Sequence, residues 1–205
     1  CWGIDSKRLK RYEVHDSELE EMTNTFTRTY YDFYYHLCVS DSHRLPNKDK
    51  ASIDNVLKRD LQRYESESNP NPQWGLIVVD YLQLHADAIN HSKEHYTLEV
   101  GLLASFWKRM AQKYNCPVLL LSQLNREIEK RPNKRPVLSD LRQSGKIEED
   151  ADIVLGLYRP NYYLDNKDRQ YNDLGENLEI GVLKNRNGET DTLHLNIDLA
   201  TKRIC

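Results

Sequence analysis

Two short aliphatic runs that end in polar residues constrain the fold of this chain more than any other feature. The first, WGLIVVD, ends at Asp80, and the second, PVLLLSQLN, carries Gln123 near its end. Buried parallel strands have such continuous apolar runs, and their carboxyl ends meet at the sheet edge where open α/β sheets bind ligands. The sequence therefore predicts two parallel strands that bring Asp80 beside Gln123.

Helices are predicted on both sides of the first strand. Residues 98–115, LEVGLLASFWKRMAQKYN, are long enough for a crossover helix that lets the two strands run parallel in one sheet. Residues 52–64 repeat apolar side chains at helical spacing and predict an amphipathic helix. Nearer the N-terminus, a helix is predicted from Glu18, capped by Asp16 or Ser17, with a short strand at 36–41.

The C-terminal part of the chain has strand signals. DADIVLGLYRP at 150–160 and NLEIGVLKNRNGETDTLHLNID at 177–198 predict strands, the second segment folding into a hairpin at Asn187-Gly188. The order of elements predicts an α/β fold, a mainly parallel sheet flanked by helices with a late antiparallel hairpin. With 205 residues, one domain over residues 1–205 is the expectation.

Charge and composition exclude some classes of protein. A net charge of -3 gives no global reason to expect nucleic acid, so any DNA contact must be local. The apolar runs are far shorter than the roughly 20 residues that cross a bilayer, and no signal-peptide core is present. We expect no membrane partner and a soluble protein of the cytoplasm or an organelle stroma. The four cysteines lack a CxxC pair and are expected to be reduced thiols.

The predicted strand ends have side chains suited to a bound nucleotide. A carboxylate at Asp80 can hold the water shell of Mg²⁺ beside phosphates, and a carboxamide at Gln123 can hydrogen-bond a γ-phosphate or its attacking water. A strand-end aspartate alone is a weak signal, because such a carboxylate also caps nearby backbone amides. Both interpretations stay open on the residues alone.

Two groups of cations could bind phosphates. A basic segment precedes the turn at 139–146 and is suited to gripping a phosphate backbone, although a solvated charged loop is the alternative; its cations are Arg126, Lys130, Arg131, Lys134 and Arg135. Lys184 and Arg186 lie two residues apart, and therefore on one face of a predicted strand. From a strand tip, this pair could reach the phosphates of a nucleotide held by a neighbouring subunit.

These segments together resemble the C-terminal ATPase part of the DnaB-type replicative DNA helicases. The resemblance rests, in matching order, on LIVVDYLQL, PVLLLSQLNREIEKR, KRPVLSDLRQSGKIEEDADIVLGLYR and LKNRNG, and it is strongest over residues 74–198. It implies a RecA-like fold, homo-hexameric rings, hydrolysis of ATP with Mg²⁺ at subunit interfaces and translocation on single-stranded DNA. Primase and other replication-fork proteins of the primosome are the implied partners.

The resemblance assigns roles to residues of the nucleotide site. Asp80 resembles the Walker B aspartate that supports Mg²⁺ through water, and Gln123 resembles the glutamine that senses the γ-phosphate. Lys184 and Arg186 resemble the lysine and arginine-finger pair that reach into the neighbour's active site. Tyr158 resembles a residue that borders the nucleotide base.

The family's DNA-binding loop corresponds to Arg142, Gln143 and Gly145. This sequence departs from the family with Gln143 where glutamate is common and Lys146 where a small residue is usual, and the added positive charge is not expected to weaken phosphate binding. Asp140 and Asp150 in the same region are expected to be structural, as caps or ion-pair partners.

The family's GxxxxGK[ST] loop and catalytic glutamate cannot be placed in this sequence, since Gly145-Lys146 is followed by Ile147. We therefore expect the N-terminal part of the ATPase core, including the Walker A segment, to be absent from this chain, with a separate chain as one source of it. The expected function is the C-terminal portion of an ATP-dependent replicative helicase that unwinds duplex DNA at the fork, inactive when alone. The alternative is an inactive remnant, or a DNA-binding or interaction module without ATPase activity.

Overall fold

The computed structural model describes residues 17, 20, 24, 50–67, 69–89, 96–141, 145–165, 167–170, 172 and 175–205. The predicted N-terminal helix and the strand at 36–41 lie outside these residues, apart from Ser17, Glu20 and Asn24, which are helical. The chain forms two compact units. The larger unit comprises Cys38–Val154 and Lys184–Gly188, and the smaller comprises Cys1–Leu37, Leu155–Leu183 and Glu189–Cys205.

The larger unit contains a parallel pair of strands joined through helices. Its described elements are α1 (Lys50–Gln62), β1 (Ile77–Val79), α2 (Leu82–Ile89), α3 (Tyr96–Tyr114), β2 (Val118–Leu120), two short 3₁₀ helices (Arg126–Lys130 and Leu138–Leu141) and α4 (Gly145–Asp150). The predicted helices at 52–64 and 98–115 correspond to α1 and α3, so both are confirmed. The sequence did not predict α2, which occupies part of the segment expected to be a loop.

Strands β1 and β2 pair in parallel, with Ile77 opposite Val118 and Val79 opposite Leu120. The ladder continues beyond the strands, because the Leu121 amide donates to the Val79 carbonyl at 3.0 Å and the Leu82 amide donates to the Leu121 carbonyl at 2.9 Å. The predicted parallel pair is therefore confirmed. Its carboxyl edge runs directly into the first turn of α2.

Helix α3 supplies the centre of the core of this unit. Its buried side chains recur every three or four residues and include Val100, Leu103, Ala104, Trp107 and Met110. This spacing forms one apolar face of a helix, and the face packs against α2, α4 and β2. A fully buried leucine or valine contributes about 1.5–3 kcal/mol, which makes this face the main source of stability in the larger unit.

One face of the β1–β2 pair is covered and the other is exposed. Ile77 is buried, whereas the alternate residues Leu76 and Val78 and their neighbours Leu119 and Leu121 are each about half exposed. Residues two apart on a strand share a face, and Val78 lies opposite Leu119. The four side chains therefore form one exposed apolar face, called here the open sheet face.

The C-terminal strands form a separate four-stranded sheet. Strands β3 (Ile153–Tyr158), β4 (Glu176–Asn185), β5 (Thr192–Asp198) and β6 (Arg203–Ile204) follow one another in that order. The β4–β5 and β5–β6 pairs are antiparallel. The predicted hairpin is confirmed, although residues 186–191 connect its strands in place of a two-residue turn.

The antiparallel strands make up more of the described sheet structure than the sequence predicted. The β1–β2 pair is parallel, but β4, β5 and β6 lie in an antiparallel arrangement in the other sheet. The physical reason is local, because the short connections after β4 and β5 can join only antiparallel neighbours. Gly175 enters this sheet with φ 118°, and a side chain there would collide with the backbone of Ile197.

Two predictions from composition can be compared with the described residues. Cys116 is buried and Cys205 is exposed, and both are free thiols, as expected; Cys1 and Cys38 lie outside the described residues. In the part of the chain that the structure describes, no helix combines the length and the apolar character needed to span a membrane.

Candidate nucleotide-binding site

The candidate site lies at the carboxyl edge of the β1–β2 pair. Asp80 follows β1 directly, and Gln123 lies in the loop that follows β2. Both residues are exposed, and the Asp80-Tyr81 peptide bond is cis. Because the two strands are parallel neighbours, the prediction that these residues share one sheet edge is confirmed. Their chemical roles stay predictions.

A residue that the sequence reasoning missed, Gln83, connects the two strand ends. It lies in the first turn of α2, and only 5% of its surface is exposed. Its Nε2 donates to Ser122 Oγ at 2.8 Å and to the Gln123 carbonyl at 3.3 Å, and its Oε1 accepts from the Gln123 amide at 3.1 Å. The available signal was a polar residue between Leu82 and Leu84, directly after a strand-end carboxylate.

Asp80 fits one part of a magnesium site. Among the described residues, no group of three or more histidine, cysteine, aspartate or glutamate side chains could hold a metal ion. Mg²⁺ usually keeps several waters and takes one or two protein carboxylates together with phosphate oxygens. A single exposed carboxylate at a sheet edge therefore suits a cation that arrives with a nucleotide, and it does not form a metal cage by itself.

Most described cations of the basic segment are bound within the chain. Arg131 Nη2 donates to Asp140 Oδ2 at 2.8 Å, and Lys130 Nζ donates to Glu127 Oε1 at 2.7 Å. Lys134 Nζ donates to the carbonyls of Glu129 at 2.6 Å and Arg131 at 3.1 Å. These contacts favour the alternative of a charged loop whose cations serve the local structure, in place of a free row of phosphate ligands.

Asp140 and Asp150 have the structural roles expected for them. The buried carboxylate of Asp140 accepts from the Val137 amide at 2.8 Å as well as from Arg131, and so it holds the 3₁₀ helix Leu138–Leu141. Asp150 accepts a short hydrogen bond from Ser105 on α3 and lies 3.6 Å from Lys146 Nζ. Both predictions are confirmed.

The predicted DNA-binding loop is only partly described, because Arg142 and Gln143 lie outside the described residues. Gly145 begins α4, and beyond its own helix and chain neighbours no described atom lies within 4 Å of the place where a Cβ would stand. Lys146 Nζ lies 3.0 Å from Glu149 Oε2, and the hydrogen bond to this carboxylate raises the pKa of Lys146. The extra positive charge at Lys146 is therefore balanced on its own helix.

Lys184 and Arg186 point to the same place, as their spacing predicts. Lys184 Nζ donates to the Glu148 carbonyl at 2.5 Å, and Arg186 Nη2 donates to the Glu149 carbonyl at 2.9 Å. These carbonyls belong to the last turn of α4. Cations are favourable there because of the partial negative charge at a helix C-terminus.

Asp152 holds Arg186 from the other side. Its Oδ1 accepts from Arg186 Nη1 at 2.8 Å, its carbonyl accepts from the Arg186 amide at 2.8 Å, and its Oδ2 forms a short ion pair with Lys108 on α3. The hydrogen bond from Lys108, and then the charges of Lys108, Arg186 and Lys184, lower the pKa of Asp152. The cation pair is thus anchored to both α3 and α4.

Tyr158 belongs to an aromatic group in the smaller unit. Its ring stacks on Tyr163, with centroids 5.7 Å apart and planes at 17°. Tyr162 is exposed, packs edge-on against Tyr163 and lies 5.8 Å from the Arg159 guanidinium. An exposed aromatic group beside a guanidinium can stack on a nucleotide base. A role for Tyr158 at a base stays a prediction.

Parallel strands with polar side chains at a shared carboxyl edge, connected through a crossover helix, define the class of RecA-like α/β ATPase folds. A solved helicase ATPase domain has the same fold, with a TM-score of 0.76 and 25% identity over 99% of this chain and 66% of that chain. A solved DnaB-like replicative helicase, studied for its interactions with primase, gives a TM-score of 0.77 at 24% identity over 99% of this chain and 44% of that one. The predicted RecA-like fold is confirmed.

The chain belongs to the DnaB-like helicase C-terminal domain family, whose model matches residues 2–204. It is 46% identical over 121 residues to the replicative DNA helicase DnaB of Geobacillus stearothermophilus, covering 59% of this chain and 25% of that protein. It is 31% identical over 202 residues to DnaB of Mycoplasma genitalium, covering 95% of this chain and 42% of that protein. The chain therefore spans less than half the length of these relatives.

Proposed function

We propose that this chain is the C-terminal portion of the ATPase core of a replicative DNA helicase, with residues 1–205 in one ATPase domain. The whole protein would hydrolyse ATP with Mg²⁺, translocate on single-stranded DNA and unwind duplex DNA at the fork. The observation that carries the proposal is the shared carboxyl edge of β1 and β2, with Asp80 and Gln123 on it, in a chain of this family.

The chemistry follows from the side chains at this edge. Asp80 would bind the water shell of Mg²⁺, and the cation would neutralise charge on the phosphates when it is bound with ATP. Gln123 would hydrogen-bond the γ-phosphate or the attacking water, since a carboxamide both donates and accepts. An exposed carboxylate and an exposed carboxamide on one edge support these two roles.

Lys184 and Arg186 would act across a subunit interface in a homo-hexameric ring. A guanidinium or ammonium that approaches the γ-phosphate stabilises the charge that develops during phosphoryl transfer. The shared direction of the two side chains and their location beside an exposed strand tip support this role. Tyr158 would border the base of the nucleotide.

Single-stranded DNA would bind at the loop before α4. Arg142 and Lys146 would supply positive charge, and the backbone at Gln143 and Gly145 would approach phosphates closely. The open space around Gly145 supports such an approach. Primase and other proteins of the replication fork are the further partners we propose, on the basis of family membership.

The remainder of the ATPase core would cover the open sheet face. The four half-exposed aliphatic residues of this face would favour burial, and this chain spans only 66% of the solved ATPase domain that shares its fold. We propose that the polypeptide that covers the face also supplies the P-loop and the catalytic glutamate. The 205-residue chain alone would then bind ATP poorly and hydrolyse it negligibly.

The test compares ATP hydrolysis by this chain with hydrolysis by a polypeptide extended upstream to include a P-loop, each with and without single-stranded DNA. Activity is expected in the extended form alone. In that form, Asp80→Asn and Arg186→Ala are each expected to lower kcat by about 100-fold or more. Asp168→Asn and Arg203→Ala, which change exposed residues of the same types, are the matched controls.

The same experiment separates the alternatives. If the extended protein lacks ATPase activity but binds single-stranded DNA with an affinity that falls steeply with salt, the chain is a binding module. If it neither hydrolyses ATP nor binds DNA, the chain is an inactive remnant. Either result would contradict the proposed motor function.

A further inference from the structure

The side chain of Gln83 replaces a missing part of the β1–β2 ladder. Backbone pairing ends where the Leu82 amide donates to the Leu121 carbonyl. Two residues further along, the Gln123 peptide groups lie past the end of the neighbouring strand, and the carboxamide of Gln83 takes the place of that strand. It accepts from the Gln123 amide at 3.1 Å and donates to the Gln123 carbonyl at 3.3 Å.

This two-point contact restrains the backbone of Gln123. A carboxamide that bonds both the N–H and the C=O of one residue fixes the orientation of both peptide groups, and hence the direction in which Cβ points. The third contact, to Ser122 Oγ at 2.8 Å, uses the remaining donor capacity of Nε2 and holds the preceding residue. Burial of Gln83 makes these bonds costly to lose, because little water is available to replace them.

The restraint also joins the two halves of the candidate site. Gln83 lies three residues after Asp80, in the first turn of α2, and that turn is itself tied to β2 through Leu82. A shift of the Asp80 segment would therefore be transmitted to the peptide groups of Gln123. An exposed glutamine on a free loop would have no such connection.

We propose that Gln83 is the positioning residue for Gln123, and that it links the strand end carrying Asp80 to the glutamine at the end of the neighbouring strand. The consequence for catalysis rests on the proposed function, in which Gln123 contacts the γ-phosphate or its attacking water. Gln83 itself contacts neither the nucleotide nor that water. It acts only through the backbone of Gln123.

The test uses the extended ATPase polypeptide and three variants. Gln83→Met has similar length and removes every hydrogen bond, whereas Gln83→Glu keeps an acceptor for the Gln123 amide but repels the Gln123 carbonyl while ionised. Gln112→Met, at an exposed glutamine of α3, is the matched control. The first measurement is amide hydrogen exchange of the nucleotide-free protein, which requires no activity.

Gln83→Met is expected to speed exchange at the Gln123 amide by about 10-fold or more, with exchange at Leu121 unchanged. Its kcat for ATP should fall by a similar factor while KM changes less than about twofold. For Gln83→Glu, the deficit in kcat relative to the unsubstituted protein should shrink as pH falls from about 8 to about 6, because protonation restores a donor. The control should change neither measurement.

Unchanged exchange at Gln123 in Gln83→Met would overturn the positioning role. So would a loss of activity that follows only a general loss of stability, with exchange at Leu121 and Gln123 rising together. If the unsubstituted extended protein hydrolyses no ATP, the proposed function fails. The exchange measurement still decides whether Gln83 holds Gln123, so the two failures are distinguishable.

Discussion

The Arg131–Asp140 ion pair should contribute far more to stability than the neighbouring Lys130–Glu127 pair, although the two pairs have similar lengths. The N–O distance is 2.8 Å for the first pair and 2.7 Å for the second. The side chain of Asp140 is 7% exposed and that of Arg131 is 34% exposed. Lys130 and Glu127 are 72% and 64% exposed, so solvent screens their attraction.

The expected magnitudes follow from what each substitution leaves unpaired. Asp140→Ala removes a charged hydrogen bond and leaves both the Val137 amide and Arg131 without their partner, which costs about 3 kcal/mol of unfolding free energy. Asp140→Asn keeps an oxygen for the Val137 amide and loses only the charge, so it should cost about 1–1.5 kcal/mol. Glu127→Ala should cost less than about 0.5 kcal/mol.

Urea unfolding followed by tryptophan fluorescence measures these differences, with Trp74 and Trp107 as reporters in the same unit. A double-mutant cycle that combines Asp140→Asn with Arg131→Met should give a coupling of about 1–2 kcal/mol. The cycle for Glu127 and Lys130 should give about 0.3 kcal/mol. Equal coupling energies for the two pairs would refute the argument that burial decides the contribution.

Two further predictions concern the core and the pH dependence of stability. Leu103→Ala should destabilise by about 2–5 kcal/mol and Leu102→Ala by less than about 1 kcal/mol, because these neighbours on α3 are 0% and 44% exposed; thermal unfolding measures both, and similar losses would contradict the assigned face. Burial alone would raise the pKa of Asp54, but hydrogen bonds led by that from Lys113 outweigh it and lower the pKa from 3.8 to about 2. Asp54→Asn should therefore cost about 1 kcal/mol at neutral pH, and urea titrations should show the difference shrinking as pH falls from about 4 toward 2; a constant difference would exclude this ionisation as the cause.

The elements that the sequence predicted are those with a clear period or a clear boundary. Helix α3 shows apolar residues at helical spacing over its whole length, and β1 and β2 are short apolar runs that end in polar residues. Helix α2 was missed because LQLHADAI is only eight residues long and follows a strand with almost no separating turn. A short apolar segment after a strand has no periodicity strong enough to distinguish helix from loop.

The candidate site divides in a similar way. Asp80 and Gln123 could be predicted as neighbours because strand ends in a parallel sheet meet at one edge. The pairing of Arg131 with Asp140 could not, since it depends on a 3₁₀ helix that the sequence does not announce. Gln83 was missed for the same reason, because its contacts join residues 39 and 40 positions away and depend on the register of two strands.

The hydrogen bonds of Lys184 and Arg186 within the chain are compatible with a role at a neighbour's nucleotide. Asp152 is half exposed, and an exposed ion pair contributes only about 0–1 kcal/mol, so Arg186 can leave this partner at small cost. A triphosphate offers several negative charges in a site with less water, where each contact is stronger. The contacts with α4 therefore direct the cation pair without trapping it, and α4 begins at Gly145, in the loop proposed to bind DNA.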